Sequence, residues 1–191
     1  MYIGEKIRLR EYRKEDIPLR LTYINDPDIG VSLTPDIPYP MTLHEEENWF
    51  HSLTAISDTY KFAIESLEDN KFIGGCNING VDWKNGVATI GIFIGSKEHR
   101  GKGCGTDAMK VLVEFIFMQM NMNKIRLTVY SYNQAALRCY EKCNFKIEGV
   151  LRQEIYRDGN HYDKIAMGLL REEYLSNKDI NTSTKIKSWK V

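Results

Sequence analysis

The stretch His99–Met109, HRGKGCGTDAM, holds three glycines, three basic side chains and one cysteine within seven consecutive positions, then runs into a helical apolar pattern. Glycine reaches backbone conformations closed to other residues, so Gly101, Gly103 and Gly105 let successive N–H groups point inward. A helix start adds partial positive charge, and the two together make an anion cradle. Arg100 and Lys102 place full charges around it. Gly103-Cys104-Gly105-Thr106-Asp107-Ala108 also satisfies the dinucleotide pattern G-x-G-x-x-A. That fold needs an acid about twenty residues on, at the end of the next strand. Here the strand ends in Val129-Tyr130-Ser131, and the strands before the loop read as antiparallel, so a doubly wound sheet is excluded. No G-K-S or G-K-T occurs, which excludes the P-loop.

Upstream, YKFAIES, KFIGGCNING and VATIGIFIG are separated by polar turns at Glu68 to Asn70 and Asp82 to Gly86, the pattern of an antiparallel meander. Before them, EKIRLREY alternates like a half-buried strand, and Ile17, Leu21 and Ile24 have helical spacing. Pro27 to Pro40 holds four of the five prolines and reads as a long loop. Thr42 and Glu45 form a capping box opening a short helix through Trp49, Phe50 and Leu53. Downstream, the helix DAMKVLVEFIFMQM is followed by the buried strand KIRLTVY. Asn133 then caps the helix NQAALRCYEKC, and FKIEGVL and KIAMGLL close the sheet around a turn at Asp158 to Asn160. Residues 1–175 read as one domain, and SNKDINTSTKIKSWKV, residues 176–191, as a mobile tail.

The chain has 191 residues, 42% of them hydrophobic, with 26 basic and 26 acidic side chains. The balance gives no general affinity for nucleic acid or membrane. The charged start MYIGEKIRLREY is neither a signal peptide nor an anchor, and no apolar run is long enough to span a bilayer, which predicts a cytoplasmic protein. Cys76, Cys104, Cys139 and Cys143 lack metal-ligand spacing and read as reduced thiols, with Cys139 and Cys143 neighbours on one helix face. No metal is expected.

In NQAALRCYEKCNF, the residues Asn133, Ala136, Tyr140, Glu141, Lys142 and Phe145 match N-x-x-A-x-x-x-Y-E-K-x-G-F, with Asn144 in place of the glycine. Arg100, Gly103 and Gly105 match Q/R-x-x-G-x-G/A. With both motifs at proper separation, the chain resembles the GNAT superfamily of acetyl-CoA-dependent N-acetyltransferases, over roughly residues 5 to 174. Within it, the sequence is similar to the branch of ribosomal-protein alanine and spermidine acetyltransferases. Asn tolerates the left-handed conformation that such a helix end requires, so the departure at Asn144 is mild. The resemblance implies an α+β fold, a mixed and mostly antiparallel sheet of about seven strands flanked by about four helices.

The resemblance further implies acetyl-CoA as co-substrate. Phe93, Ile94 and Gly95 would offer backbone groups to pantetheine and the acetyl carbonyl where their strand splays from its neighbour. Gly101, Lys102, Gly103, Cys104, Gly105 and Thr106 would hold the pyrophosphate beside Arg100, and Asn133 would bond the pantetheine arm. Tyr140, two helical turns beyond Asn133, is the general-acid candidate. Its phenol, with an ordinary pKa of about 10, would protonate a thiolate whose acid lies near about 8.5, a mismatch a buried site could correct. By spacing alone Tyr140 is equally a core tyrosine.

No base is assigned, because Thr89 stands where many relatives carry glutamate. Glu65 and His161 are distant candidates for a water relay that read more simply as structural or solvated, and the amine could also arrive neutral. The acceptor would lie among the first helices and the last strand pair. Asp26, Asp28, Asp36 and HEEEN (residues 44–48) could bind a polycation, although Glu45 is already a cap. Pro35, Tyr39 and Trp49 could instead shape a peptide N-terminus or amino-sugar site. A small-molecule amine or peptide N-terminus is thus the expected partner, and a homodimer is left open. The competing reading is an acyl-CoA-binding or interaction protein of the same fold with little turnover.

Overall fold

The computed structural model describes residues 2–33, 36–37, 39–53 and 59–180, with backbone alone for 177–180. Eight strands form one sheet in the order β1-β2-β3-β4-β5-β6-β8-β7. They are β1 (Tyr2–Ile3), β2 (Ile7–Arg10), β3 (Tyr60–Ser66), β4 (Phe72–Asp82), β5 (Val87–Ile94), β6 (Lys124–Tyr130), β7 (Lys146–Arg157) and β8 (Asn160–Leu170). All neighbours run antiparallel except β5 and β6. The helices are α1 (Ile17–Ile24), α2 (Pro27–Leu33), α3 (Leu43–Ser52), α4 (Cys104–Gln119), α5 (Gln134–Lys142) and α6 (Arg171–Ile180). This is the mixed, mostly antiparallel architecture expected, with further short elements.

Strand alternation sorts the side chains to two faces. Cys76 and Ile78 of β4, Ala88 and Ile90 of β5, and Ile125, Leu127 and Val129 of β6 join Met109, Leu112 and Ile116 of α4 and Leu137 and Tyr140 of α5 in the main core. A smaller cluster on the opposite face joins Tyr12, Ala63 and Phe72 with Tyr23, Trp49, Phe50, Leu53 and Phe93, under α1 and α3. α4 and α5 therefore pack on one face of the sheet, and α1 and α3 on the other.

The long loop expected from Pro27 to Pro40 is corrected in its first half, because Pro27–Leu33 is helical. Proline is tolerated at a helix's first position, where its missing N–H would bond nothing. Asp26 supports that start, its Oδ1 accepting from Asp28 N at 3.0 Å. Pro35 lies outside the described residues. At the C-terminus, α6 carries regular structure through Ile180, into the segment read as tail, and residues 181–191 lie outside the description.

Asp107, in the first turn of α4, is buried and accepts from three backbone amides, Glu5 N at 3.2 Å, Lys6 N at 2.7 Å and Ile7 N at 3.1 Å. It ties the turn before β2 to the start of α4. Gly4 is required there, since a Cβ on it would fall 2.4 Å from Asp107 Oδ2. The packing that seats the glycine loop thus begins at the N-terminus of the chain.

Candidate active site

Parallel pairing of β5 with β6 covers only Val87–Thr89 against Lys124–Arg126. On its other side β5 stays paired with β4 as far as Ile94, and β6 stays paired with β8 as far as Tyr130. Past Thr89 and Arg126 the two strands therefore diverge, and among the described residues the β6-side edge of Ile90–Ile94 has no ladder partner. A fork with an unpaired backbone edge is what an extended ligand with amide groups needs, because it can complete the ladder.

At the mouth of the fork, Gly101 (φ +74°) and Gly103 (φ +89°) adopt left-handed conformations, and Gly103 caps α4. Among the described residues, a Cβ on Gly101 would meet nothing within 4 Å. α4 runs 16 residues from Cys104, long enough to present four free N–H groups and a positive pole at this loop. Gly101–Thr106 thus bring the left-handed glycines and the start of α4 together in one loop.

Arg100 behaves differently from a loose phosphate cation. Its Nε donates to Ile94 O at 3.0 Å and its Nη2 to Gly95 O at 3.2 Å, which clamps the end of β5 to the loop. Lys6, unremarked in the sequence, stands at the cradle: its Nζ donates to Lys102 O at 2.7 Å and lies 3.6 Å from where a Gly103 Cβ would be. Nothing local to Lys6 signals this, since 96 residues separate it from Lys102. His99 is buried, its Nδ1 2.7 Å from Ser96 Oγ, and holds the turn leading out of β5. Gly95 in that turn is covered by Tyr23, whose Cδ2 would lie 2.0 Å from an added Cβ.

The second wall is α5. Asn133 Oδ1 accepts from Ala136 N at 3.1 Å, so the residue caps the helix and retains its amide donors. Tyr140 is 5% exposed and packs edge-on to Phe145 at 6.0 Å. Burial pushes its phenol above the ordinary tyrosine range, followed by weaker effects of Cys139 and Cys143. Burial therefore widens the mismatch with a thiol instead of correcting it, while keeping the proton on oxygen at neutral pH. Asn144 sits at φ +66°, the left-handed helix end its side chain tolerates. Phe145 N closes that end onto Tyr140 O at 3.0 Å.

α4 and α5 meet through sulfur. Thr106 Oγ1 donates to Cys139 Sγ at 3.5 Å, and Cys143 Sγ donates to Thr106 O at 3.7 Å. The neighbouring Cys143 thiol and then Thr106 hold the Cys139 thiol below the ordinary cysteine range, whereas burial raises Cys76 and Cys104. The thiolate is the nucleophile, so iodoacetamide should modify Cys139 first of the four free cysteines. The rate should climb with pH and level off at a lower pH than for an ordinary cysteine. Peptide mass mapping across a pH series checks this, and preferential labelling of Cys104 would contradict it.

The candidate bases do not converge on the fork. Thr89 Oγ1 accepts from Arg126 Nε at 3.0 Å. Glu65, 4% exposed, is bound by Arg8 at 2.5 Å and by Arg10, a structural ion pair. His161 is exposed at the β7–β8 turn, 5.1 Å from the Tyr156 ring. Of the acids near the first helices, Asp26, Asp28, Glu45 and Glu46 are likewise engaged. Asp26 and Asp28 meet Lys97 at 3.1 and 3.5 Å, Glu45 closes its predicted capping box with Thr42, and buried Glu46 pairs with Arg20. The Arg20 guanidinium stacks 3.4 Å over Trp49. Asp36 O accepts from Arg157 at 3.4 Å, and Tyr39 OH donates to Glu45 Oε1 at 3.2 Å. Among the described residues no group of three or more His, Cys, Asp or Glu could hold a metal, and no helix is long and apolar enough to cross a membrane.

A family model described as an acetyltransferase (GNAT) domain matches residues 6–146. The chain belongs to the GNAT acetyltransferase family. It is an N-acetyltransferase by kinship, and enzymes of this family use acetyl-CoA as the acetyl donor. The chain is 31% identical to the SPbeta prophage-derived uncharacterized N-acetyltransferase YokL of Bacillus subtilis, over 91% of this chain and 94% of that protein. It is 27% identical to the spermidine N(1)-acetyltransferase of Escherichia coli K12, over 96% of each chain. The fold superposes on the spermidine N-acetyltransferase of Vibrio cholerae solved with CoA and spermine. That match has TM-score 0.80 at 25% identity, covering 88% of this chain and 98% of the other. The GNAT fold explains why the fork and the glycine loop coincide.

Proposed function

We propose that this GNAT chain transfers the acetyl group of acetyl-CoA directly to a primary amine, on a peptide N-terminus, a polyamine or another small amine. The observation that carries the reading is the divergence of β5 from β6 past Thr89, with the left-handed glycines and the α4 start at its mouth. The amides of Gly101–Thr106 would seat the pyrophosphate, with the Lys102 and Lys6 charges beside it. The backbone of Phe93, Ile94 and Gly95 would meet pantetheine and the acetyl carbonyl, and Asn133 would use its amide donors on the pantetheine arm. Tyr140 would give its proton to the departing thiolate. Four free cysteines support a reducing compartment, the cytoplasm.

A weakly catalytic acyl-CoA-binding protein is the second reading, favoured by Thr89, which cannot accept a proton at neutral pH and is held by Arg126. Calorimetric titration with acetyl-CoA, free coenzyme A and pantetheine tests the shared core of both. Removing the phosphates should weaken binding by about 100-fold, since charge-assisted bonds to several amides and a lysine are lost. Equal affinity for pantetheine would remove the diphosphate seat. Thiol release on adding amines then separates the enzyme from the binder.

A further inference from the structure

On the sheet face opposite α4 and α5, Asn77 of β4 carries a side-chain oxygen that is shielded from solvent and has no hydrogen-bond partner among the described residues. Asn77 stands in register with Lys61 of β3 on one side and Gly91 of β5 on the other. Gly91 leaves a bare patch beside it, where an added Cβ would meet only Asn79 Nδ2, at 3.1 Å. The patch lies two residues past Thr89, where β5 and β6 part. Because the main core fills the other face with α4 and α5, an acceptor reaching the fork crosses Asn77, Gly91 and Thr89.

The charges around this floor are unfavourable to a polycation. Lys61 lies beside Asn77, with its Nζ 5.6 Å from the Trp49 ring, and Arg126 lies on Thr89. Of the acids near the first helices, Glu46 pairs with Arg20 and Asp26 and Asp28 with Lys97, and on β4 Asp82 is bonded by Asn85. Neither Asn77 nor Thr89 can take a proton, and among the described residues no candidate base converges on the fork, which favours an amine that arrives neutral. At about pH 7.5 roughly a quarter of α-amino groups, with pKa about 8, are neutral, against about one in a thousand alkylamines with pKa about 10.4.

We propose that the Asn77 amide orients the attacking amine by accepting one of its N–H bonds, and that this seat selects neutral, low-pKa amines over polyamines. The inference rests on the acetyl-transfer reading. The last torsion of an asparagine has a broad well, so Oδ1 of the half-buried side chain can reorient to meet an amine. The amine nitrogen attacks the thioester carbonyl carbon, the new C–N bond forms and the C–S bond breaks. Tyr140 protonates the thiolate and is reprotonated from water, and the acetylated nitrogen releases its extra proton to water.

The test measures kcat/KM of the full chain for an alanine-initiated tripeptide and for spermidine, with saturating acetyl-CoA. The tripeptide should be preferred by at least about 10-fold at about pH 7.5. Asn77→Ala should lower its kcat/KM about 10-fold with acetyl-CoA affinity unchanged, the loss of one hydrogen bond. Asn77→Asp, of the same shape, should move the preference toward spermidine by about 10-fold, which a purely structural role would not do. Preference for spermidine by the unaltered chain, or full activity of Asn77→Ala on the tripeptide, overturns the inference while leaving acetyl transfer standing. A chain that binds no acetyl-CoA overturns both.

Discussion

Tyr140→Phe should lower acetyl-transfer turnover by about 100-fold or more, the usual contribution of a positioned general acid, while leaving acetyl-CoA affinity within about twofold. The substitution keeps the ring that packs against Phe145 at 6.0 Å and the volume that α5 contributes to the main core. Only the hydroxyl is lost. Burial holds that hydroxyl protonated at neutral pH, so the group is ready to donate but would be a poor acid toward a well-solvated thiolate. Its usefulness depends on the thiolate being desolvated too, which raises the thiolate's own proton affinity. Single-turnover rates with calorimetric affinities for both proteins decide the matter, and unchanged turnover would end the general-acid assignment.

Arg10→Ala should destabilise the fold by about 4 kcal/mol, because it leaves the buried Asp16 carboxylate without its cation and strips Glu65 of one of its two close arginines. Arg10 is 4% exposed and donates to both oxygens of Asp16 at 2.8 Å and to Glu65. Asp16 also accepts from Arg13 N at 2.9 Å. The group therefore joins β2, β3 and the entry to α1, and its loss is felt by three elements at once. Arg13, 47% exposed at its side chain, meets Glu11 at 2.9 Å and should cost under about 0.5 kcal/mol when changed to Ala. Urea denaturation of the two variants gives the comparison. Equal midpoints would show that the buried cluster contributes nothing beyond an ordinary surface pair.

Much of the fold is legible wherever the signal is local. β3 and β6 occupy the stretches YKFAIES and KIRLTVY that alternation marks out. The Thr42–Glu45 box and the Asn133 cap need only residues within one turn, and the left-handed Gly101, Gly103 and Asn144 follow from what each residue tolerates. α2 escaped because four prolines between residues 27 and 40 read as a loop, although Pro27 sits where a helix accepts proline. For the candidate site, the glycine loop and the α5 motif could be recognised, since both are contiguous.

By itself the sequence determined the turns, the caps, the apolar stripes and the two motifs, which depend on dihedral preference and on neighbours a few residues away. Only the tertiary structure decided which distant groups meet. It turned Arg100 onto the carbonyls of Ile94 and Gly95, brought Lys6 to Lys102, and hung three N-terminal amides on Asp107. It committed Glu65 to Arg8 and Arg10, and left Asn77 in register with Gly91, its oxygen unmatched among the described residues. Those pairings are set by strand register and helix packing across many tens of residues. A single register step in β4 would send Asn77 to the opposite face.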